Sequence, residues 1–351
     1  MSRPLTGLRV LEMQAIGPVP WAGMMLADMG ADVLRIDRPT PADASLAHRE
    51  ERFEITARGK RFMMADVKTA QGREAVLDEA SRADVLLEGL RPGVMERIGL
   101  GPHECLQRNP RLVYGRMTGW GQTGPLAQDA GHDINYLARS GALHAIGPAD
   151  GPPSVPLNLV ADFGGGGMLL LTGILAALFE SRSSGQGQVV DAAMVDGVLA
   201  MMAPTLGRFQ AGQWQDRRGA NLLDGGAPFY RAYATADGRA VAVGAIEPRF
   251  YAALLRGLEL DASQLPEQLD RSGWPAMHDR FAAIFKSRSR AEWETVFEGT
   301  DACVSPVLSL AELASCPHMV HRANFAEIDG VLHPAPAPRF LRTSSASKAM
   351  L

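Results

Sequence analysis

Cysteine is nearly absent: Cys105, Cys303 and Cys316 are the only 3 in 351 residues. An odd count without CxxC spacing argues against a disulfide framework and a cysteine-based zinc site, and it suits a reducing, cytoplasmic compartment. Metal-ligand spacing is missing as well. His132 has no companion histidine four residues on, and His48, His103, His144, His278, His318, His321 and His333 are scattered or near the end, so no metal is expected. No GxSxG marks a serine nucleophile. Aromatic residues make up 6% and do not interleave with basic ones, and 35 Lys+Arg against 39 Asp+Glu leave a net charge of −4. Nucleic acid is therefore not an expected partner. The longest apolar stretch, Met168–Phe179, is interrupted by Thr172 and Gly173. It falls short of the roughly 20 residues that span a bilayer, so it reads as a buried helix and no membrane contact is expected. The opening MSRPLTGLRVLEM holds too short an apolar run for a secretory signal and reads as mature protein.

What remains is the composition of a folded globular protein, 46% hydrophobic with 37 Gly and 23 Pro dispersed along it. Its length suits about two domains of roughly 100–200 residues. LRVLEM (8–13), a helical run from Val19 to Met29 and ADVLRID (31–37) alternate strand and helix. FMMADV (62–67), the helical Thr69–Arg82, DVLLEG (84–89) and RLVYGRMTGW (111–120) repeat the alternation. An α/β, doubly wound, Rossmann-like parallel sheet follows. Asp37 closing the second strand invites a dinucleotide reading, but the turn after the first strand, IGPVPWAG, lacks GxGxxG. A long apolar helix is expected from Asp162 to about Ser183, then a strand over Val189–Val195 and a helix over Asp196–Gln210. The polar, Gly-rich 211–226 reads as a linker after a large domain over 1–210. Beyond it, alternation around Asp237-Gly238 signals a hairpin, and helical stretches at 248–258, 274–286 and 290–298 complete a smaller α+β domain over 227–300. Residues 301–325 read as a second linker, and 326–351 as a return to the large domain.

Three islands carry ionisable side chains in turn-like settings: GHDINY (131–136), NLVADFGGGG (158–167) and GAIEPRF (244–250). His132 precedes an apolar-periodic stretch and so sits at a helix start; Asp162 stands before Phe163 and four glycines, where another helix begins. Bland readings stand beside functional ones. Asp is a favoured N-cap, Asp133 suits a helix first turn, and Glu247 before Pro248 can simply open the next helix.

The runs PLTGLRVLEM, LADMGADVLRIDRP, RPGVMERIGLGP, RMTGWGQTGP, GHDINY, PLNLVADFGGGG, RGANLLDGGAPFY and DGRAVAVGAIEPRFYAALL together resemble the α-methylacyl-CoA racemases of the family III CoA-transferase superfamily, from about residue 4 to 342. The resemblance implies a large domain built from both chain ends, a smaller α+β domain and an interlocked homodimer with a shared active site. It implies cofactor-free 1,1-proton transfer on an acyl-CoA thioester through an enolate, with His132 and Asp162 as the two bases. Glu247 from the partner subunit would polarise His132, the backbone N–H of Asp133 would hold the enolate oxygen, and Tyr230 and Asn158 would position substrate. For CoA, the matching positions are Arg38, Ala65 to Lys68, Arg91, Arg97, Thr118 and Gly119. The Arg58-Gly59-Lys60-Arg61 cluster reads as a charged loop or as added attraction for phosphate, and Met168, Met194, Met201 and Met202 as core filling or an adaptable acyl surface. The alternative within the superfamily is a CoA transferase with Asp162 as nucleophile; a non-catalytic acyl-CoA-binding protein is the third reading.

Overall fold

A computed structural model of the chain describes residues 3–39 and 51–343. His48 and the 344–351 end of the expected C-terminal return lie outside the described residues. In chain order come β1 (Arg9–Met13), α1 (Pro18–Asp28), β2 (Asp32–Asp37), β3 (Lys60–Met64), α2 (Ala70–Ala80), β4 (Val85–Glu88), α3 (Val94–Arg97), α4 (Pro102–Arg108) and β5 (Val113–Thr118). Next are α5 (Asp133–Arg139), α6 (Ala142–Ala145), a π-helical segment Leu159–Gly167, α7 (Met168–Ser184), β6 (Val189–Ala193), α8 (Met194–Met201) and α9 (Ala203–Gln210). The remainder is β7 (Tyr230–Ala234), β8 (Ala240–Gly244), α10 (Pro248–Gly257), α11 (Trp274–Phe285), α12 (Arg290–Phe297), β9 (Val304–Pro306), α13 (Pro317–His321), β10 (Phe325–Ile328) and β11 (Val331–Pro334).

These elements form two units. The first comprises the chain up to Ser140, Pro156–Met202 and the chain from Pro317; the second comprises Gly141–Val155 and Ala203–Cys316. In the first, a parallel six-stranded sheet has the order β3-β2-β1-β4-β5-β6. Central strands such as Val85-Leu86-Leu87 are fully buried, as expected of a sheet covered by helices on both faces. The order grows outward from β1 through β3, then restarts beside β1 with β4. That reversal opens a crevice at the carboxyl ends of β1 and β4, where open α/β sheets bind ligands.

The third strand begins and ends earlier than the predicted 62–67, because Asp66–Thr69 forms a turn whose Thr69 hydroxyl accepts the Gly72 N–H at 3.0 Å and starts α2. The Arg58–Arg61 cluster is a turn at Arg58-Gly59 that enters β3 at Lys60, and it is not a free cationic patch. Arg58 pairs with Asp28, Lys60 with Glu12 and Arg61 with Asp32, all within the first unit.

A further departure is at Asp162. It is not an N-cap: the helix begins at Leu159, Asn158 occupies the cap position, and Asp162 lies inside the wide π-helical turn. This geometry accompanies an intimate backbone approach. A Cβ on Gly197 of α8 would stand 1.8 Å from the Gly165 carbonyl oxygen, so only glycine fits. Gly197→Ala is expected to cost about 1–3 kcal/mol of stability, as overpacking does, which urea unfolding would read out. The π segment continues into α7 as a 26-residue apolar helix, Leu159–Ser184, longer than the expected stretch and sufficient by length and composition to cross a membrane. Its Leu170 and Ile174 are fully buried and close over Gly115 of β5, the position of a core helix.

In the second unit, β7-β8-β9 form an antiparallel sheet with the Asp237-Gly238 hairpin, Gly238 at φ 76°. It carries an aromatic core of Phe229, Tyr233, Phe281, Phe285 and Trp293. Segment 211–226 is a compact loop rather than a slack linker, because fully buried Asn221 donates to Gln215 O, Arg217 O and Asp224. Gly141–Val155 joins this unit through Arg218, whose guanidinium donates to the carbonyls of His144, Pro148 and Gly151. The expected second linker contains β9, a strand too short to show alternation. The C-terminal hairpin β10-β11 reaches Arg58, which donates to Pro334 O at 2.6 Å.

Candidate active site

The crevice at the carboxyl ends of β1, β4 and β5 is a cleft of about 450 Å³. Its walls come from the loops after these strands (Ile16–Val19, Gly89–Pro92 and Gly119-Trp120) and from the starts of α5 and the π-helical segment. Behind it, β4 ends in buried Glu88, which holds Arg116 of β5 at 2.9 Å and accepts the Leu90 N–H at 2.7 Å, pinning the turn that lines the cleft.

Of the residues singled out from sequence, the cleft brings together His132, Asp162, Asn158, Arg91, Thr118 and Gly119. His132 is exposed at the N-cap of α5, its backbone N–H donating to Asn135 Oδ1 at 3.0 Å. Asp162 is half-buried, and its Oδ2 accepts from Asn158 Nδ2 at 3.1 Å. Burial pushes the Asp162 carboxyl above the ordinary aspartate range; the Asn158 hydrogen bond opposes this, the Asp133 charge adds to it and His132 subtracts. Arg38, Ala65, Lys68 and Arg97 follow β2, β3 and β4 on the same carboxyl edge but do not line the cleft, and Ala65 is buried. Glu247 and Tyr230 belong to the second unit: Glu247 is the exposed N-cap of α10 and Tyr230 opens β7. Met194 lines the cleft, while Met168 and Met201 are exposed on the surface of the first unit.

Two contributors escaped the sequence reading. Tyr136 is buried one turn after His132; its hydroxyl donates to Gly131 O at 2.5 Å and its ring meets Trp120 edge-on at 4.7 Å. A Cβ on Gly119 would stand 2.1 Å from that ring, so glycine here is a packing requirement as well as a pocket wall. The spacing of His132 and Tyr136, four apart on one helix face, was the available signal. The other is the Asp133 side chain. It turns away from its own helix, and its Oδ2 accepts the backbone N–H groups of Ala161 and Asp162 at 2.7 and 2.8 Å.

The chain matches CoA-transferase family III over residues 5–350. It is 48% identical over 347 residues to alpha-methylacyl-CoA racemase of Mus musculus, covering 98% of this chain and 88% of that one. The Homo sapiens alpha-methylacyl-CoA racemase is 44% identical over 342 residues, covering 97% and 87%. A crystal structure of an M. tuberculosis protein superposes with a TM-score of 0.80 at 26% identity, covering 99% of this chain and 95% of that one. A match across nearly the whole length, on a fold whose switch-point crevice holds the motif residues, places the chain in CoA-transferase family III.

Proposed function

We propose that this protein interconverts the two enantiomers of 2-methylacyl-CoA thioesters by a cofactor-free 1,1-proton transfer. The observation that carries the reading is that His132 and Asp162, on different elements, line one cleft, with burial favouring a protonated Asp162. One of the two takes the α-proton; the Cα–H electron pair moves into the thioester carbonyl to give an enolate. The other base then delivers its proton to the opposite face. Positioned acid–base groups supply about 10²–10⁴-fold, and a hydrogen-bond donor at the enolate oxygen, here the Asp133 backbone N–H, roughly 10²–10³-fold. Asn158 holds Asp162. In a homodimer, the partner's Glu247 polarises His132 and the partner's Tyr230 positions the acyl group. Arg38, Lys68, Arg91 and Arg97 face the CoA phosphates, which guanidinium groups bind bidentately. The main-chain edges of Ala65, Thr118 and Gly119 take the neutral part of the carrier. A cytoplasmic setting belongs to the same proposal, on 3 cysteines without paired spacing.

The test is NMR of a single-enantiomer 2-methylacyl-CoA with the pure protein in D₂O. α-Deuteration accompanied by inversion is expected. Passage of CoA to an added free carboxylate, without inversion, would instead make Asp162 the nucleophile of a transferase. The pH profile carries a sign. Below the acid limb of kcat/KM both bases hold protons and neither can accept one, so activity falls with pH. Because burial raises the Asp162 carboxyl, that limb is expected above the ordinary aspartate value.

A further inference from the structure

We infer that the Asp133 side chain is the positioning residue for Asp162, locking the spacing between the two proton-transfer groups. The inference rests on the racemase reading and assigns the side chain a task separate from its backbone N–H.

Asp133 opens α5 directly after His132, yet its carboxylate does not cap its own helix. Oδ2 instead accepts from both Ala161 N and Asp162 N, 28 and 29 residues further along the chain. These N–H groups belong to the first turn of the π-helical segment, where no intrahelical carbonyl can satisfy them. One side chain thus ties the backbone of one base to the helix start that carries the other. Asp133 as a residue is 5% exposed, and its second oxygen, Oδ1, is buried without a hydrogen-bond partner among the described residues. A carboxylate with an unsatisfied buried oxygen is costly, and a purely structural clamp would be served as well by asparagine. The retained charge has a use at Asp162. Among the described residues, His132, Asp133, Tyr136 and, across the cleft, Arg91 are the ionisable groups facing that carboxyl, and of these the negative Asp133 opposes its ionisation. Asp133 therefore fixes the place of Asp162 and adds to the upward push that burial gives its carboxyl.

Two substitutions separate these tasks. Asp133→Asn keeps an oxygen that can accept both N–H groups but removes the charge; Asp133→Ala removes both. Each variant is assayed as the full chain after matched thermal unfolding. Asp133→Ala is expected to lose about 10²-fold or more in inversion, the scale of a displaced general base. It should retain α-deuteration without inversion for one enantiomer, because His132 still removes and returns a proton on its own face. Asp133→Asn is expected to lose less inversion and to move the acid limb of kcat/KM to lower pH. The inference is overturned if Asp133→Ala inverts within about threefold of the parent. It is equally overturned if inversion and exchange fall in parallel while the Asp133→Asn limb stays in place. Should Asp133→Ala fail to fold, the Asp133→Asn limb decides alone. Failure of the parent protein to invert substrate at all would sink the racemase reading instead, a distinct result.

Discussion

Asp162→Ala and His132→Ala are each expected to lower inversion of a 2-methylacyl-CoA by about 10²–10⁴-fold, the contribution of a positioned acid–base group, and to leave complementary residues of activity. With Asp162 gone, one enantiomer still exchanges its α-proton with solvent through His132; with His132 gone, only the other does, through Asp162. The asymmetry follows from the two groups standing on separate elements around one cleft rather than side by side on one helix. Single-enantiomer substrates in D₂O, followed by NMR and chiral separation, read both quantities. Equal loss of exchange for both enantiomers in either variant would mean that one group does all the proton transfer.

Lys60→Met is expected to cost about 3–5 kcal/mol of stability, the penalty for leaving a buried charge without its partner. Lys60 and Glu12 are both completely inaccessible at their side chains, and the ammonium donates to Glu12 Oε1 at 2.8 Å, to Oε2 at 2.6 Å and to Pro20 O at 2.8 Å. Burial acts on both groups against their charged forms, and each offsets that for the other. The pair ties β3 to β1 and to α1, whose leading loop walls the cleft, so unfolding should be accompanied by loss of CoA binding. Urea unfolding of Lys60→Met and of the double variant Glu12→Gln/Lys60→Met measures it: the double variant recovers most of the loss, since no buried charge remains. An unchanged midpoint in the single variant would show that Glu12 is neutral in the fold.

Residues with periodic or turn chemistry were legible from sequence. The strand–helix–strand run over residues 8–37 and the Asp237-Gly238 hairpin lie where they were expected, because local propensity and tertiary packing demand the same thing there. His132 at a helix start was legible for the same reason. Asp162 was not. The glycines that follow it were read as a helix start, whereas Gly165, Gly166 and Gly167 are buried inside a π-helical turn that begins three residues before Asp162, with Gly165 in backbone contact with Gly197. The pairing of the cationic cluster at 58–61 was not legible, because ion pairs with Asp28, Glu12 and Asp32 join positions tens of residues apart and leave no local pattern.

By itself, the sequence determined the class of the fold, the family and the identity of the chemically capable groups, all of which reside in local periodicity and in contiguous motifs. Only the tertiary structure decided that β4 returns to the side of β1 and opens the crevice, and that Asp133 reaches across 29 residues of chain to the Asp162 N–H. Strand order and cross-segment hydrogen bonds depend on which surfaces bury each other, and no spacing along the chain encodes that.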